Sequence, residues 1–282
     1  MLKLAGVVIL YHPNVAKTLV NIASYANHLD ILYVYDNSER PTFKGADDFA
    51  HFNVPIEYIA TGVNEGISIR LNQAANKAIE AGFDFLLTMD QDSSFHPNDF
   101  QKWVDQIEHG QFLNVAQFGV NFQPTITQSK EQPEQVLSLI TSGTILNLSL
   151  FRKVGLFNEL LFIDFVDIEF SYRVIQCGYK NLMFSNIILN HKIGELINGR
   201  SFKTFKRSLR IIHSPIRVYY IVRNGLYLLY KLKNLTPQMK KEVVRSMGIL
   251  KNDFIYHPQL ASVYLNAFKG LMSFLLNKMG KK

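Results

Sequence analysis

Cysteine is nearly absent, because the 282-residue chain contains only Cys177, which excludes a disulfide within the chain. A single free thiol suits a reducing compartment, and a lone cysteine is by default a small buried side chain. The sequence also lacks a run of 18 or more apolar residues, which excludes a membrane-spanning helix. The N-terminal apolar stretch has no charged leader and no clear cleavage site, so we interpret it as a first strand. These absences predict a cytoplasmic protein.

Two glycine-rich nucleotide motifs are missing as well. No GxGxxG follows the first apolar run and GxxxxGK[ST] occurs nowhere, which argues against a dinucleotide fold and a P-loop. What is present is a globular composition, with 48% hydrophobic residues, 16 glycines and 9 prolines. Such a chain forms one large domain, or one domain with an appendage.

Charge is distributed unevenly along the chain. Residues 1–190 hold 12 Lys+Arg and 20 Asp+Glu, a net charge of −8, whereas residues 191–282 hold 18 and 3, a net charge of +15. The two regions therefore face different partners. The basic C-terminal region is also rich in aromatic residues, which suits an anionic membrane surface, a diphosphate or nucleic acid.

Apolar runs of strand length alternate with helix-like segments over the first 90 residues. The predicted strands cover residues 4–11, 31–38, 56–60 and 83–90, and the predicted helices cover residues 15–29 and 66–82. Strands that are apolar on both faces and alternate with helices predict an α/β fold, with a mostly parallel central sheet and helices on both faces. Functional residues are then expected at the carboxyl ends of the strands.

Polar residues follow each of the four predicted strands. In chain order they are Tyr11 and His12, Asp36, Asn64, and Asp90 with Asp92. In the stretch LLTMDQDSSF, Asp90 and Asp92 leave the strand on one face, and two carboxylates that close repel unless a cation lies between them. Mg²⁺ or Mn²⁺ carrying a phosphate is the cation that this chemistry suits. A solvated loop is the alternative explanation of such a short motif.

Further candidates lie beyond residue 160. The stretch LFIDFVDIEFSYR (161–173) begins a predicted helix, so its acids either complement the helix dipole or act in catalysis. Asp167 is flanked by apolar residues and is the better candidate for a base. His191 closes a strand-like segment and could supply a nitrogen to a cation or a phosphate. Residues 260–282 predict a basic amphipathic helix that either packs on the protein or contacts a membrane.

Several segments between residues 4 and 224 resemble, in order and spacing, the family 2 inverting glycosyltransferases, which adopt the GT-A fold. They are VVILYHPN, YVYDNSE, GVNEGISIRLNQA, LLTMDQDS, TSGTIL, LFIDFVDIEFSYR, HKIGE and IRVYYIVRN. MDQDS, FIDFVD and RVYYIVRN are similar to the bacterial dTDP-rhamnosyltransferases of surface-polysaccharide synthesis. The resemblance implies a GT-A catalytic domain over residues 1–200. It also implies a basic helical extension over residues 201–282 that packs on that domain and faces the membrane or the acceptor.

The resemblance implies a nucleotide and metal site at the strand ends. Asp36 would accept a hydrogen bond from the pyrimidine ring, with Tyr11 beside the base, and Asp90 would hold the ribose or a metal-bound water. Asp92 would bind the metal directly, and His191 would help to bind the metal or the diphosphate. The nucleotide site would be completed by His12, Asn64 and Arg70, with Arg70 near the diphosphate.

The resemblance also implies that Asp167 is the catalytic base, with Arg173 at the end of the same motif. Many relatives have a glutamate immediately before that aspartate, where this chain has Val166, so Asp164 or Glu169 could share the role. The residues expected near the acceptor or the diphosphate are Ser142, Gly143, Asp164, Glu169, Arg217 and Arg223.

The sequence thus predicts an inverting glycosyltransferase that uses Mg²⁺ or Mn²⁺ to transfer L-rhamnose from dTDP-rhamnose. Its acceptor would be a lipid-diphosphate-linked or polysaccharide glycan in bacterial surface synthesis, for example of lipopolysaccharide. It would contact anionic lipid peripherally at the cytoplasmic face of the membrane, bind no nucleic acid and be able to form a homodimer. A UDP- or GDP-linked hexose is the alternative donor. Alternatives outside the family are a nucleotidyltransferase, an inactive glycan-binding module, and a nucleic-acid- or membrane-binding protein without catalysis.

Overall fold

The structure is a computed structural model that describes residues 2–122, 130, 132–191, 194–200 and 206–282. The chain forms two compact units. The first comprises Met1–Asn158 and Val166–Lys192, and the second comprises Glu159–Phe165 and Ile193–Lys282. The second unit therefore includes a short segment that precedes the last part of the first unit in sequence.

The first unit alternates strands and helices. Its strands are β1 Leu4–Leu10, β2 Ile31–Asp36, β3 Ile56–Ala60, β4 Phe85–Asp90, β5 Ser94–Phe95, β6 Val115–Asn121, β7 Glu134–Val136, β8 Thr144–Asn147 and β9 Lys180–Asn190. Its helices are α1 Val15–Ala23, α2 Ile67–Glu80, α3 Asp99–His109, α4 Leu148–Val154 and α5 Val166–Gln176. Short 3₁₀ turns cover Ala26–His28 and Ala46–Phe49.

All these strands form one sheet, in which β3, β2, β1 and β4 are neighbours in that order and run parallel. Next in the sheet, β8 is antiparallel to both β4 and β6, and β9 is parallel to β6. Both β5 and β7 pair with β9 in antiparallel fashion. The α/β fold predicted from the sequence is confirmed. The four strands predicted over the first 90 residues run parallel to one another, and β6 and β9 form a further parallel pair beyond the antiparallel β8.

The parallel strands are buried because both of their faces are apolar. Every residue of β1 except Ile9 is buried. Helix α2 packs on β1 and β4 through a stripe of buried residues that includes Leu71, Ala74 and Ala78. Each large apolar side chain buried in this way contributes about 1.5–3 kcal/mol to folding. The strand ends are therefore held at fixed positions by the core.

The single cysteine, at the end of α5, differs from the sequence prediction. Cys177 follows the last residue of α5 and is exposed, although a lone cysteine was expected to be buried. The next residue, Gly178, has a φ of +82° and turns the chain from α5 into β9. Cys177 is thus a surface residue at the C-terminal end of α5.

The second unit contains a two-stranded ribbon and a group of helices. The antiparallel strands are β10 Glu195–Arg200 and β11 Arg207–Ile212, and the helices are α6 Pro215–Lys231, α7 Pro237–Met247, α8 Lys251–Tyr256 and α9 Leu260–Leu275. Helix α9 confirms the predicted amphipathic helix. It packs closely on α6, since a Cβ on Gly270 would lie 2.5 Å from the carbonyl oxygen of Tyr219. None of the helices in the described part of the chain has the length and hydrophobicity to cross a bilayer.

Candidate active site

The carboxyl ends of β1, β2 and β4 lie side by side at one edge of the sheet. In the strand register, Ile9 pairs with Asp90 and Leu10 pairs with Asp36. The residues that follow these strands are therefore neighbours in space, as the strand pattern predicts for parallel strands. Tyr11, which directly follows β1, has 46% of its surface exposed at this edge.

The DQDS sequence after β4 forms a tight turn that neighbouring elements hold in place. The N–H of Ser93 donates to the carbonyl of Asp90 at 3.2 Å. The Gln91 side chain forms two hydrogen bonds with the Tyr11 backbone, of 2.8 and 3.0 Å, and the Gln91 carbonyl accepts one from Asn21 Nδ2 at 2.9 Å. The two aspartates are consequently presented on a turn whose other members are already fixed.

Strand β9 brings His191 to this turn from a distant part of the sequence. Ser94 pairs with Asn190 in the antiparallel β5–β9 register, so His191 lies opposite Ser93. Its Nδ1 is 2.8 Å from Ser93 Oγ and 3.6 Å from Asp92 Oδ1. The ring also contacts Phe122 edge to face, with a centroid distance of 6.2 Å.

Asp90, Asp92 and His191 together form a candidate metal site. One ligand atom from each residue lies within 4.8 Å of the others. Asp92 is 46% exposed, whereas the imidazole is 16% exposed, so the cluster opens to solvent on the carboxylate side. Two carboxylates and one imidazole are suitable donors for Mn²⁺ and acceptable for Mg²⁺, so the residues fit a divalent cation.

Ser142 and Gly143 lie directly against this cluster. Ser142 is buried, and its Oγ accepts a hydrogen bond of 3.1 Å from the N–H of Asp90. Gly143 has a φ of +70°, and a Cβ there would lie 2.9 Å from both Leu189 and Val120. Only glycine fits this turn without strain. The TSGTIL segment therefore supports the end of β4, in addition to any contact with a diphosphate.

Asp36 is fully buried at the end of β2, and the protein itself supplies two of its hydrogen bonds. Oδ1 accepts from the N–H of Ser38 at 2.9 Å, and Oδ2 accepts from the hydroxyl of Tyr58 at 3.0 Å. Burial and then the charge of Asp36 raise the pKa of Tyr58, so this phenol stays protonated and continues to donate. Each carboxylate oxygen has a second lone pair, and contact of Asp36 with a pyrimidine stays a prediction.

Arg70 is buried and is hydrogen-bonded to the neighbouring loops in this structure. It is 1% exposed, and its guanidinium is stacked 5.5 Å from the ring centroid of Tyr35. Its five N–H donors are matched by five acceptors, on Asn37, Glu65, Gln73, Thr61 and the carbonyl of Val63. A guanidinium has only five donors, so none is left for a diphosphate in this conformation. Arg70 instead fixes the loops that follow β2 and β3.

His12 and Asn64 occupy the loops at the same sheet edge. The His12 backbone N–H donates to Ser38 Oγ at 2.7 Å, and His12 Nε2 lies 3.1 Å from Glu39. Asn64 accepts a hydrogen bond from the N–H of Gly66 at 3.0 Å, which closes the turn before α2. Both residues shape the loops that a nucleotide would meet, and their direct contact with a nucleotide stays a prediction.

The first turn of α5 contains two acids with different environments, the candidate base Asp167 and Glu169, which forms an ion pair. Asp167 is half-buried, and its Oδ1 accepts from the N–H of Ile168 at 2.8 Å. The carboxylate of Glu169 is 3% exposed and forms two hydrogen bonds of 2.9 Å with Arg173. Arg173 also donates to the carbonyls of residues 154–156. Glu169 is thus committed to holding a turn, which leaves Asp167 as the candidate base on this helix.

The remaining predicted residues lie in the second unit. Asp164 is 8% exposed and forms a bidentate ion pair with Arg217, while its carbonyl accepts from Asn224 Nδ2 at 3.0 Å. Asp164 and Phe165 have φ values of +63° and +66°, which these hydrogen bonds stabilise. Arg223 is fully buried and donates to the carbonyl of Gly280 at 2.7 Å. Arg217 therefore has a carboxylate partner, and Arg223 would need a local rearrangement to meet an acceptor.

Comparison with known families and proteins identifies the family to which the chain belongs. The sequence profile described as Glycosyl transferase family 2 matches residues 11–159, more than half of the chain, and the match includes the strand ends and the DQD turn. The chain belongs to glycosyl transferase family 2. This family 2 glycosyltransferase is also 28% identical over 263 residues to the dTDP-rhamnosyl transferase RfbF of Shigella flexneri, an alignment that covers 86% of this chain and 85% of the relative.

Solved structures show that this glycosyltransferase has the GT-A fold. TarS residues 1–349 of S. aureus in complex with UDP-GlcNAc superimposes with a TM-score of 0.59 at 13% identity, covering 97% of this chain and 81% of that one. The mannosyltransferase PcManGT of Pyrobaculum calidifontis, in complex with GDP-Man and Mn²⁺, gives 0.57 at 12% identity over 98% and 88%. GalNAc-T7 with UDP, GalNAc and Mn²⁺ gives 0.57 at 12% identity, and this chain spans 58% of its length.

Three residues of this family 2 glycosyltransferase that hold the site together were not singled out from the sequence. Gln91 fixes the DQD turn, Ser93 contacts His191, and Tyr58 holds Asp36. The hydroxyls after DQD were visible in the sequence, but a serine that follows an acid is usually a solvated loop residue. Tyr58 lies within a strand, where an aromatic residue gives no indication of a polar partner.

Proposed function

We propose that this glycosyltransferase transfers L-rhamnose from dTDP-rhamnose to a hydroxyl group of a lipid-linked or polysaccharide acceptor, with inversion at the anomeric carbon. In this proposal residues 1–200 form the catalytic domain and residues 201–282 form a basic helical extension. The product would be part of a bacterial surface glycan. The proximity of Asp90, Asp92 and His191 carries the proposal of a metal-dependent nucleotide-diphosphate donor, and the 28% identical rhamnosyl transferase supports the choice of sugar.

Asp167 acts as the general base in the proposed reaction. Its carboxylate takes the proton of the acceptor hydroxyl while that oxygen forms a bond to the anomeric carbon, and the bond from that carbon to the diphosphate breaks. A single displacement of this kind inverts the configuration. Asp167 is half-buried between the apolar Val166 and Ile168, and general-base assistance by such a carboxylate typically contributes about 10²- to 10⁴-fold.

Asp90, Asp92 and His191 would hold a Mg²⁺ or Mn²⁺ ion, which when bound neutralises the charge that develops on the leaving diphosphate. At the adjacent strand ends, Asp36 would accept a hydrogen bond from the pyrimidine ring and Tyr11 would lie beside the base. The buried Arg70 keeps the intervening loops in place before the nucleotide arrives. A preformed loop of this kind lowers the entropic cost of donor binding.

Calorimetry of the purified protein against dTDP, UDP and GDP, each with and without Mn²⁺, tests the donor. We expect binding that requires the cation and favours dTDP over the other two nucleotides. An assay with dTDP-rhamnose and a lipid-linked acceptor should then release dTDP and yield the inverted glycoside, as determined by NMR. Preference for UDP or GDP would replace rhamnose by another sugar and keep the mechanism, whereas no nucleotide binding at all would refute the donor site.

We also propose that the second unit contacts an anionic membrane through the outer face of α9. This face carries Leu260, Tyr264, Phe268, Leu271 and Leu275, which are 39–63% exposed. Residues 254–282 contain four lysines and no acidic residue. Exposed apolar side chains interleaved with cations suit a bilayer with anionic headgroups. Two copies of so basic a surface would repel each other, which disfavours self-association through this face.

Flotation of the full chain with lipid vesicles tests this contact. We expect binding to vesicles that contain phosphatidylglycerol and little binding to neutral phosphatidylcholine vesicles. The double variant Phe268→Ser/Leu275→Ser should bind at least about tenfold more weakly, since each inserted side chain contributes on the order of 1.5–3 kcal/mol. Val20→Ser, which changes an exposed apolar residue of α1, is the control. Equal flotation of the double variant, or sedimentation of the wild type as a dimer that the double variant disrupts, would refute the proposal.

A further inference from the structure

Two buried serines connect two of the candidate metal ligands. Ser93 and Ser142 are 0% and 1% exposed, and their hydroxyl oxygens are 2.7 Å apart. Ser142 Oγ accepts from the backbone N–H of Asp90 at 3.1 Å. Ser93 Oγ lies 2.8 Å from Nδ1 of His191. A continuous hydrogen-bonded chain therefore runs from the backbone of one ligand residue to the ring of another.

This chain is built from three separate segments of sequence. Ser93 is the last residue of the DQDS turn, Ser142 precedes β8, and His191 follows β9. The turn that orients Ser142 depends on Gly143, whose φ is +70° and whose N–H donates to the carbonyl of Thr88 at 2.9 Å. Buried hydroxyls are costly unless they are hydrogen-bonded, and here Ser142 donates to Ser93, which in turn bonds to the ring of His191.

The connection matters because the other contacts of the His191 ring with described residues, to Phe122 and Asp92, are weaker. Its ring packs edge to face on Phe122, an apolar contact that does not select which ring nitrogen faces the carboxylates. The contact with Asp92 is 3.6 Å, longer than a hydrogen bond. Ser93 is thus the group that sets which edge of the imidazole faces the carboxylates. Outer partners of metal-binding histidines typically contribute about 10- to 100-fold to metal affinity through such orientation.

We propose that Ser93 and Ser142 are positioning residues that hold the His191 ring against the DQD turn, and thereby set the affinity and the selectivity of the site for divalent cations. This inference rests on the proposed function, because it requires Asp90, Asp92 and His191 to bind a cation. The serines act through His191 and do not touch the cation themselves. With the ring oriented, the site offers a nitrogen that favours Mn²⁺; without it, the two carboxylates remain, which suit Mg²⁺.

Mn²⁺ titrations followed by electron paramagnetic resonance test the proposal, with the metal alone and with saturating dTDP or UDP. Ser93→Ala and Ser142→Ala should each weaken Mn²⁺ binding about 10- to 100-fold. Competition with Mg²⁺ should show a smaller loss for Mg²⁺, so the preference for Mn²⁺ declines. Ser93→Thr keeps the hydroxyl and should retain most of the affinity.

A double-mutant cycle with His191→Ala separates positioning from a general loss of structure. If the serines act through the ring, Ser93→Ala should cost nothing further in the His191→Ala background. Ser171→Ala is the matched control, because Ser171 is also fully buried and hydrogen-bonded, but it lies on α5 and donates to Gln117 Oε1 of β6 at 2.9 Å, away from the DQDS turn. Its affinity for Mn²⁺ should equal that of the wild type.

The outcomes distinguish the two proposals. Unchanged Mn²⁺ binding in Ser93→Ala and Ser142→Ala would overturn the positioning role and leave the proposed function intact. A full additional loss from Ser93→Ala in the His191→Ala background would also overturn it. If the wild type bound no Mn²⁺, alone or with either diphosphate, the cation site and the proposed function would fail together.

Discussion

The Asp167→Asn variant should turn over about 10²- to 10⁴-fold more slowly than the wild type, because an amide cannot take the proton of the acceptor hydroxyl. Asn has nearly the same size and shape as Asp, and its side-chain oxygen can still accept the hydrogen bond from the N–H of Ile168. Loss of charge at the first turn of α5 weakens the favourable interaction with the helix dipole by about 0.3–1 kcal/mol. Steady-state kinetics should therefore show a lower kcat with little change in donor affinity.

Asp99→Asn provides the matched control for this substitution. Asp99 is also half-buried in the first turn of an 11-residue helix, α3. It should lose a similar small amount of stability and keep full activity. An Asp167→Asn enzyme with normal kcat and an inverted product would show that another group is the base. Equal losses in both variants would point to the helix N-terminus and away from proton transfer.

Replacing Asp92 by Ala should abolish cation-dependent donor binding and lower kcat/KM by about 10³-fold. Metal stabilisation of a leaving diphosphate contributes several kcal/mol, and 4 kcal/mol corresponds to that factor. Asp92 is 46% exposed, so its removal should leave the free energy of unfolding almost unchanged. Calorimetry with dTDP should show wild-type binding that requires Mn²⁺ and no Mn²⁺-dependent component in the variant.

The control for this experiment is Asp47→Ala, which removes another exposed carboxylate of the same unit. It should bind dTDP and Mn²⁺ as the wild type does. Retention of Mn²⁺-dependent binding in Asp92→Ala would show that the cation is held elsewhere. A large fall in thermal stability would instead assign Asp92 a structural role that its exposure does not suggest.

The strands that position the site were predictable because their pattern is local. The run 56–60 is observed as β3 Ile56–Ala60, and 31–38 contains β2 Ile31–Asp36. Parallel strands covered on both faces leave long apolar runs with polar residues directly after them. The proximity of Asp90 and Asp92 was also predicted, but from the two-residue periodicity of a strand, whereas β4 ends at Asp90 and a tight turn presents Asp92.

The partners of the charged residues were not predictable, because the sequence does not show which charged side chains are buried. Arg70 was expected near a diphosphate, yet its five acceptors come from the loops that follow β2 and β3 and from α2. Glu169 was a possible base, yet its carboxylate is hydrogen-bonded to Arg173. Arg173 also donates to three backbone carbonyls, which fixes the ion pair beside residues 154–156. Such partners are assembled only by tertiary packing, which leaves no periodic pattern in the sequence.

The hydrogen bond between Ser93 and His191 spans 98 residues of the chain. Closing a loop of that length costs on the order of 4 kcal/mol of chain entropy, so the β5–β9 contact forms only when the intervening strands and helices compensate it. Local elements such as β1, β2 and α2 can form long before β9 exists. A nascent chain that has not extended past residue 190 therefore lacks one member of the candidate cation site, so the first strands can fold before that site is complete.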